Sequence, residues 1–253
     1  MTHDSARSAG RLHAVRILAI VMAVSAIGFG LFTAVFGIVS PAQEPHAFHN
    51  VVVASLLIVL SAPPVVAVAL APEHPIRPLV VLAVVGVAAL ATMALSATID
   101  PFTLPFVILV AVLWALTPSR TELVPAWRPS LMLLALFALG AVPLVWYALG
   151  QAELQRTDHA SEHAAFFHWV ETSFYAVAVL LVGLLAAQGP AAYRLAGWCA
   201  GLALAILGAA SLGLAAYASA LPMPWSWVAL LGGVLFVGAT EWEARRTEAF
   251  ATS

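Results

Sequence analysis

Between Ile17 and Val39 the chain reads ILAIVMAVSAIGFGLFTAVFGIV, a run without a charge in which only Ser25 and Thr33 carry hydroxyls. About 20 apolar residues, rising 1.5 Å each, cross the ~30 Å hydrocarbon core of a bilayer. The run therefore predicts a spanning helix over Arg16–Val39. A cleaved signal peptide is the rival reading, but its apolar region is ordinarily only about 7–15 residues long.

Seven further segments follow the same rule, approximately Val51–Leu70, Leu79–Ala97, Phe102–Leu116, Leu131–Ala148, Ala164–Ala187, Leu195–Ala218 and Trp225–Thr240. Turn chemistry separates them, at Ser40-Pro41, Pro72 to Pro75, Asp100-Pro101, Thr117 to Arg120, Gly150 to Ser161, Gln188 to Pro190 and Leu221 to Pro224. The fourth and eighth segments are short and need interfacial residues or local thinning to cross. Composition agrees: of 253 residues, 63% are hydrophobic and 9% charged. A soluble domain carries roughly 25% charged and about 45–50% apolar residues. The expected class is all-α, a polytopic integral membrane helix bundle of eight transmembrane helices. A wetted globular domain, a disordered chain and a nucleic-acid binder are excluded.

The chain has no lysine, so its ten positive charges are arginines and act as topology markers. Arg7, Arg11 and Arg16 precede the first span. Arg77, then Arg120 and Arg128, then Arg194 follow spans two, four and six, and Arg245 and Arg246 end the chain. Only Arg156 falls on the other side. By the positive-inside rule both termini are cytoplasmic, in a multi-pass protein of the cell membrane. The expected organisation is a cytoplasmic tail (1–15), a four-helix half (16–120), a cytoplasmic linker (121–130), a second half (131–240) and a cytoplasmic tail (241–253). An offset of 119 residues places Phe48-His49-x-Val51 on Phe167-His168-x-Val170, and Pro105 on Pro224. This suggests a parallel 4+4 internal repeat related by a pseudo-two-fold along the membrane normal.

The topology sorts the histidines. His3, His13 and His74 fall on the cytoplasmic side. His46, His49, His159, His163 and His168 fall on the other, with Glu44, Asp100, Glu153, Asp158, Glu162 and Glu171. Imidazole with carboxylate, and little arginine, suits a divalent transition metal (Zn, Fe, Cu or Mn). Helix-capping signals at Thr157 and Asp158 predict that His159 and His163 share one helical face, at i, i+4. Glu171 would lie inside a span, where an acid costs about 2.5–3.5 kcal/mol and calls for a partner. The expected ligand set is His49, His168 and Glu171, supported by His46, His159 and His163, with Glu171 as candidate base. A b-type haem between His49 and His168 is the weaker version, since no haem-attachment Cys motif exists.

Duller readings stand beside these. Loop histidines are often only solvated, and His168 could serve to neutralise Glu171. Trp127, Trp146, Trp198, Trp225 and Trp242 read as interfacial belt residues, Asp100-Pro101 as a helix cap, and Pro63-Pro64 and Pro143 as kinks. Gly28, Gly30, Gly201 and Gly208 read as close-packing positions. Cys199 is the one cysteine, so no intrachain disulfide forms. Ser211 has no triad partners for a hydrolase. No phosphate loop points to a nucleotide, no lysine permits a retinal Schiff base, and few midplane charges argue against a proton-coupled transporter. Two functions remain open. One is a metal or haem site acting on a lipid-soluble substrate or handling metal. The other is a non-catalytic subunit of a membrane complex, a homo-oligomer or a small transporter, its histidines sensing pH.

Overall fold

The second apolar segment shows how local sequence shapes the bundle. Pro63 and Pro64 lack backbone N–H groups, and a proline ring crowds the carbonyl four residues earlier. In the computed structural model, the helix Ala47–Leu70 answers by widening into a π-helical stretch over Leu56–Ser61, just before the two prolines. The Ser61 hydroxyl donates to Leu56 O at 2.9 Å, so the displaced carbonyl stays bonded. The kink expected at Pro63-Pro64 is thus a change of helical register.

The structure describes residues 3–39, 46–117 and 128–251. Its long helices are α1 (His3–Val39), α2 (Ala47–Leu70), α3 (Ile76–Leu95), α4 (Leu104–Leu116), α5 (Leu131–Thr157), α6 (His168–Gln188), α7 (Arg194–Gly213) and α8 (Met223–Ala251). No strand occurs among the described residues. Seven of the eight helices are long and apolar enough to cross a membrane; α4, with 13 residues, is the exception. Glu44, Arg120 and Trp127, together with most of the 121–130 linker, lie outside the described residues.

Several ends differ from expectation. Helix α5 continues past Ala148 to Thr157, α6 starts at His168 instead of Ala164, and α7 stops at Gly213 instead of Ala218. Helices α1 and α8 extend beyond their apolar runs, to His3 and Ala251, since nothing in the flanking polar residues breaks a helix. Pro143 sits inside an uninterrupted α5.

Helices α2, α3, α6 and α7 form the centre. In the first half, α1 packs on α2 and α4, α2 on α3, and α3 on α4. In the second, α5 packs on α6 and α8, α6 on α7, and α7 on α8. Across the halves α2 meets α7, α3 meets α6, and α2 meets α6. Tyr175 of α6 ties the centre together. Its hydroxyl lies 2.8 Å from Ser55 Oγ of α2 and donates to Ala203 O of α7 at 2.5 Å.

Glycines set the α7–α8 contact. A Cβ at Gly208 would stand 2.3 Å from Leu230 N, and one at Gly233 would stand 2.4 Å from Gly201 O. The two backbones therefore touch, as expected at Gly201 and Gly208. Gly30 meets Ile58 and Leu57 of α2 in the same way, whereas Gly28 faces open space.

One end of the bundle carries most of the arginines. Arg16 Nε donates to Ala69 O at 3.2 Å, and Arg128 N to Gln188 O at 3.0 Å. Arg194 grips Glu241 of α8 with two nitrogens, and Arg245 joins the same carboxylate at 2.7 Å. The other end holds His46, His49, His159, His163 and His168, with Arg156 among them.

Candidate metal centre

Parallel helices α2 and α6 begin side by side at the histidine end. His46 precedes the first residue of α2, His49 lies in its first turn, and His168 opens α6. The link from α5 to α6 is where local sequence decides the geometry. Asp158 ends α5 and accepts hydrogen bonds from Ser161 N at 3.1 Å, from the Ser161 hydroxyl and from Trp169 Nε1 at 3.3 Å. Those bonds hold its carboxyl below the usual carboxylate range. Ser161 in turn caps the single helical turn Glu162–Ala165, accepting from Ala164 N. Gln155 Nε2 clamps that turn to α5 through Ala164 O at 3.0 Å.

Phe167 then adopts a left-handed conformation, φ 64°, and reverses the chain into α6. A non-glycine residue held there costs on the order of 1–3 kcal/mol, and such strain gathers at functional positions. Its effect is to fold His163 back over the start of α6.

The result is a knot of imidazoles. His46, His163 and His168 each offer a ring nitrogen, and these lie within 4.8 Å of one another. The ring centroids of His46 and His168 are 4.4 Å apart, and those of His46 and His163 are 4.8 Å apart. Trp169 stacks on the outer side of His163 at 4.9 Å. Burial and the neighbouring His46 push the His163 imidazole below its ordinary pKa, which favours its neutral form. Glu162 Oε2 stands 3.7 Å from His46 Nε2.

His49 belongs to the same knot in a different role. Its ring stacks on His168 with centroids 3.7 Å apart, and its Nε2 pairs with Glu171 Oε2 at 2.9 Å. Asp100 is buried, accepts from Phe102 N at 2.8 Å and from the Thr103 hydroxyl, and acts electrostatically on both His49 and Glu171. The Nδ1 atoms of His49 and His168 are buried without a hydrogen-bond partner among the described residues. A buried polar atom left so costs roughly 1–3 kcal/mol.

The expected residues therefore separate. His49, His168 and Glu171 do lie together, but Glu171 is engaged by His49, and the nitrogens that converge belong to His46, His163 and His168. His159 is corrected: the helix ends at Thr157 and resumes at Glu162, so His159 and His163 share no helical face. His159 is exposed and lines a separate cleft with Ser96 and Arg156. In this arrangement the His49 and His168 rings stack directly on each other at 3.7 Å, with no porphyrin-sized gap between them. The sequence places Asp100 on this side only as a helix cap; its nearness to His49 and Glu171 depends on how the α3–α4 link packs against α2 and α6. Comparison with family models, with curated proteins and with solved structures returned no match.

Proposed function

We propose that the chain is an eight-span protein of the cell membrane, both termini cytoplasmic, that binds one divalent transition metal through His46, His163 and His168 at the extracytoplasmic end. The convergence of those three ring nitrogens carries the reading. Three imidazoles without sulfur suit zinc, copper or iron, and three protein ligands leave a fourth position open, as catalytic sites do. At Zn–N bonds of about 2.0–2.1 Å, tetrahedral ligand atoms sit roughly 3.3 Å apart, so rotamer adjustments bring these nitrogens into register. Helix α4 counts as the eighth span, with a locally thinned bilayer accommodating its length. The gathering of Arg16, Arg128, Arg194 and Arg245 at the other end supports the orientation. The helix pairings, alike in both halves, support a parallel 4+4 repeat, with His49 and His168 stacked where its axis would run.

In this reading the ion acts on a substrate that arrives from the lipid, or is itself the cargo. As a catalyst it would lower the pKa of a bound water, and the adjacent His49–Glu171 pair would hold the released proton. Metal analysis of the protein purified in mild detergent tests the site. About one ion per chain is expected in the wild type, with at least a tenfold loss in both His168→Ala and His163→Ala. Equal, substoichiometric metal in all three would sink it, and co-purifying subunits in that event would favour an accessory role.

A further inference from the structure

A cleft of about 1100 Å³ opens sideways between α5 and α8, with α6 and α7 as its floor. It exceeds the ~300–1,000 Å³ usual for small-molecule sites. Helix α8 is drawn onto α7 through glycine contacts while α5 lies along α6, and the cleft lies between them, beside the part of α5 that packs on α8. The first half is arranged alike but filled. There Val15, Ala19 and Met22 of α1 are buried in one cluster with Val110 and Leu113 of α4.

Three features describe what would fit. The first is room built into the walls: a Cβ added at Gly140, Gly150 or Gly232 meets nothing within 4 Å. Glycine in a helix costs about 0.5–1 kcal/mol against alanine, and no helix contact here repays it. The second is a polar end. Gln151 is only 6% exposed and lines the cleft; its Oε1 accepts from the Ser219 hydroxyl at 3.2 Å. Its amide nitrogen has no partner among the described residues. Tyr147 beside it is already spent on Ser219 O, at 2.6 Å. The third is the absence of charge: no lining residue is ionisable at neutral pH, so nothing there recognises a phosphate. The cleft also runs far. Leu136 to Gln151 on α5 covers about 22 Å, more than the ~15 Å of one leaflet, half of a ~30 Å core.

We propose that the cleft between α5 and α8 binds a neutral long-chain lipid of the prenyl quinone class, its chain along α5 and a carbonyl oxygen accepting from the Gln151 amide. A phospholipid would bring a charged phosphate head to an end with no charged residue to meet it. The site requires the membrane reading but not the metal, so the two fail separately.

The test is photolabelling of the full-length protein in phosphatidylcholine/phosphatidylglycerol nanodiscs with an azido prenyl quinone, mapped by mass spectrometry. Label is expected on α5 and α8, displaced by excess unlabelled prenyl quinone and undiminished in His168→Ala. It should fall at least tenfold when Gly140→Leu and Gly232→Leu together fill the cleft, and severalfold in Gln151→Leu. The two glycine sites have free space, so that variant should keep the wild-type elution profile. Label spread evenly over lipid-facing helices such as α1, label unchanged by filling, or equal displacement by phosphatidylglycerol would each overturn the proposal.

Discussion

Replacing Gly208 by alanine sets a methyl group against the backbone of α8. The new Cβ would stand 2.3 Å from Leu230 N, 2.5 Å from Ser226 O and 2.8 Å from Leu230 Cα, where ordinary contact begins at 3.4 Å. None of these atoms belongs to a flexible side chain, so no rotamer change relieves the overlap. The helices must separate locally by about 1.1 Å. A gap of 0.5–1 Å already forfeits roughly a quarter to a half of each dispersion contact, at about 0.1–0.2 kcal/mol per atom pair. Over on the order of ten pairs this loses about 0.5–1 kcal/mol, and overpacking strain adds typically 1–3 kcal/mol. The expected destabilisation is about 2–4 kcal/mol. Gly232→Ala is the control, on the facing helix but with nothing within 4 Å of its Cβ. Helix propensity alone should leave it neutral or up to about 1 kcal/mol more stable. Reversible unfolding by denaturing detergent in mixed micelles, followed by circular dichroism, reads both. If Gly208→Ala unfolds no earlier than Gly232→Ala, α7 and α8 do not touch backbone to backbone.

The His49–Glu171 pair is buried on both sides, so removing one partner strands the other. Either His49→Ala or Glu171→Ala should cost about 1–3 kcal/mol, the cost of a buried polar group left without its partner, while His49→Leu with Glu171→Leu recovers most of it; additive single-variant costs in the same unfolding assay would count against a coupled pair. His163 has a depressed pKa in the folded protein, so below the unfolded value near 6.5 the unfolded chain takes up the proton first and stability falls with pH. The unfolding midpoint of metal-free protein should drop as pH goes from 6.5 towards 5, less steeply in His163→Asn; an identical slope in both would show that His163 is not the group responsible.

The histidine site was legible in composition and side, and illegible in pairing. Its location followed from the arginine count, because every loop could be assigned to a face. Which nitrogens converge depended on the link from α5 to α6, where capping signals at Thr157 and Asp158 read equally well as a helix start. The chain used Asp158 as a loop brace and Ser161 as the cap, leaving His159 outside and turning His163 inward. The left-handed Phe167 had no residue signature at all, since phenylalanine seldom adopts that conformation.

By itself the sequence determined that this chain is a helical membrane protein, roughly where its helices run, and that most of the arginines and five of the eight histidines fall at opposite ends. Those properties depend on the length and polarity of contiguous segments, which act locally against the bilayer. Tertiary structure alone decided that His46, His163 and His168 meet while His49 turns to Glu171, and that the second half opens where the first is filled. Apolar helices present chemically similar faces, so which faces meet is settled by glycine contacts between distant segments, together with a π-helical register shift and one strained turn whose consequences show only when the helices pack.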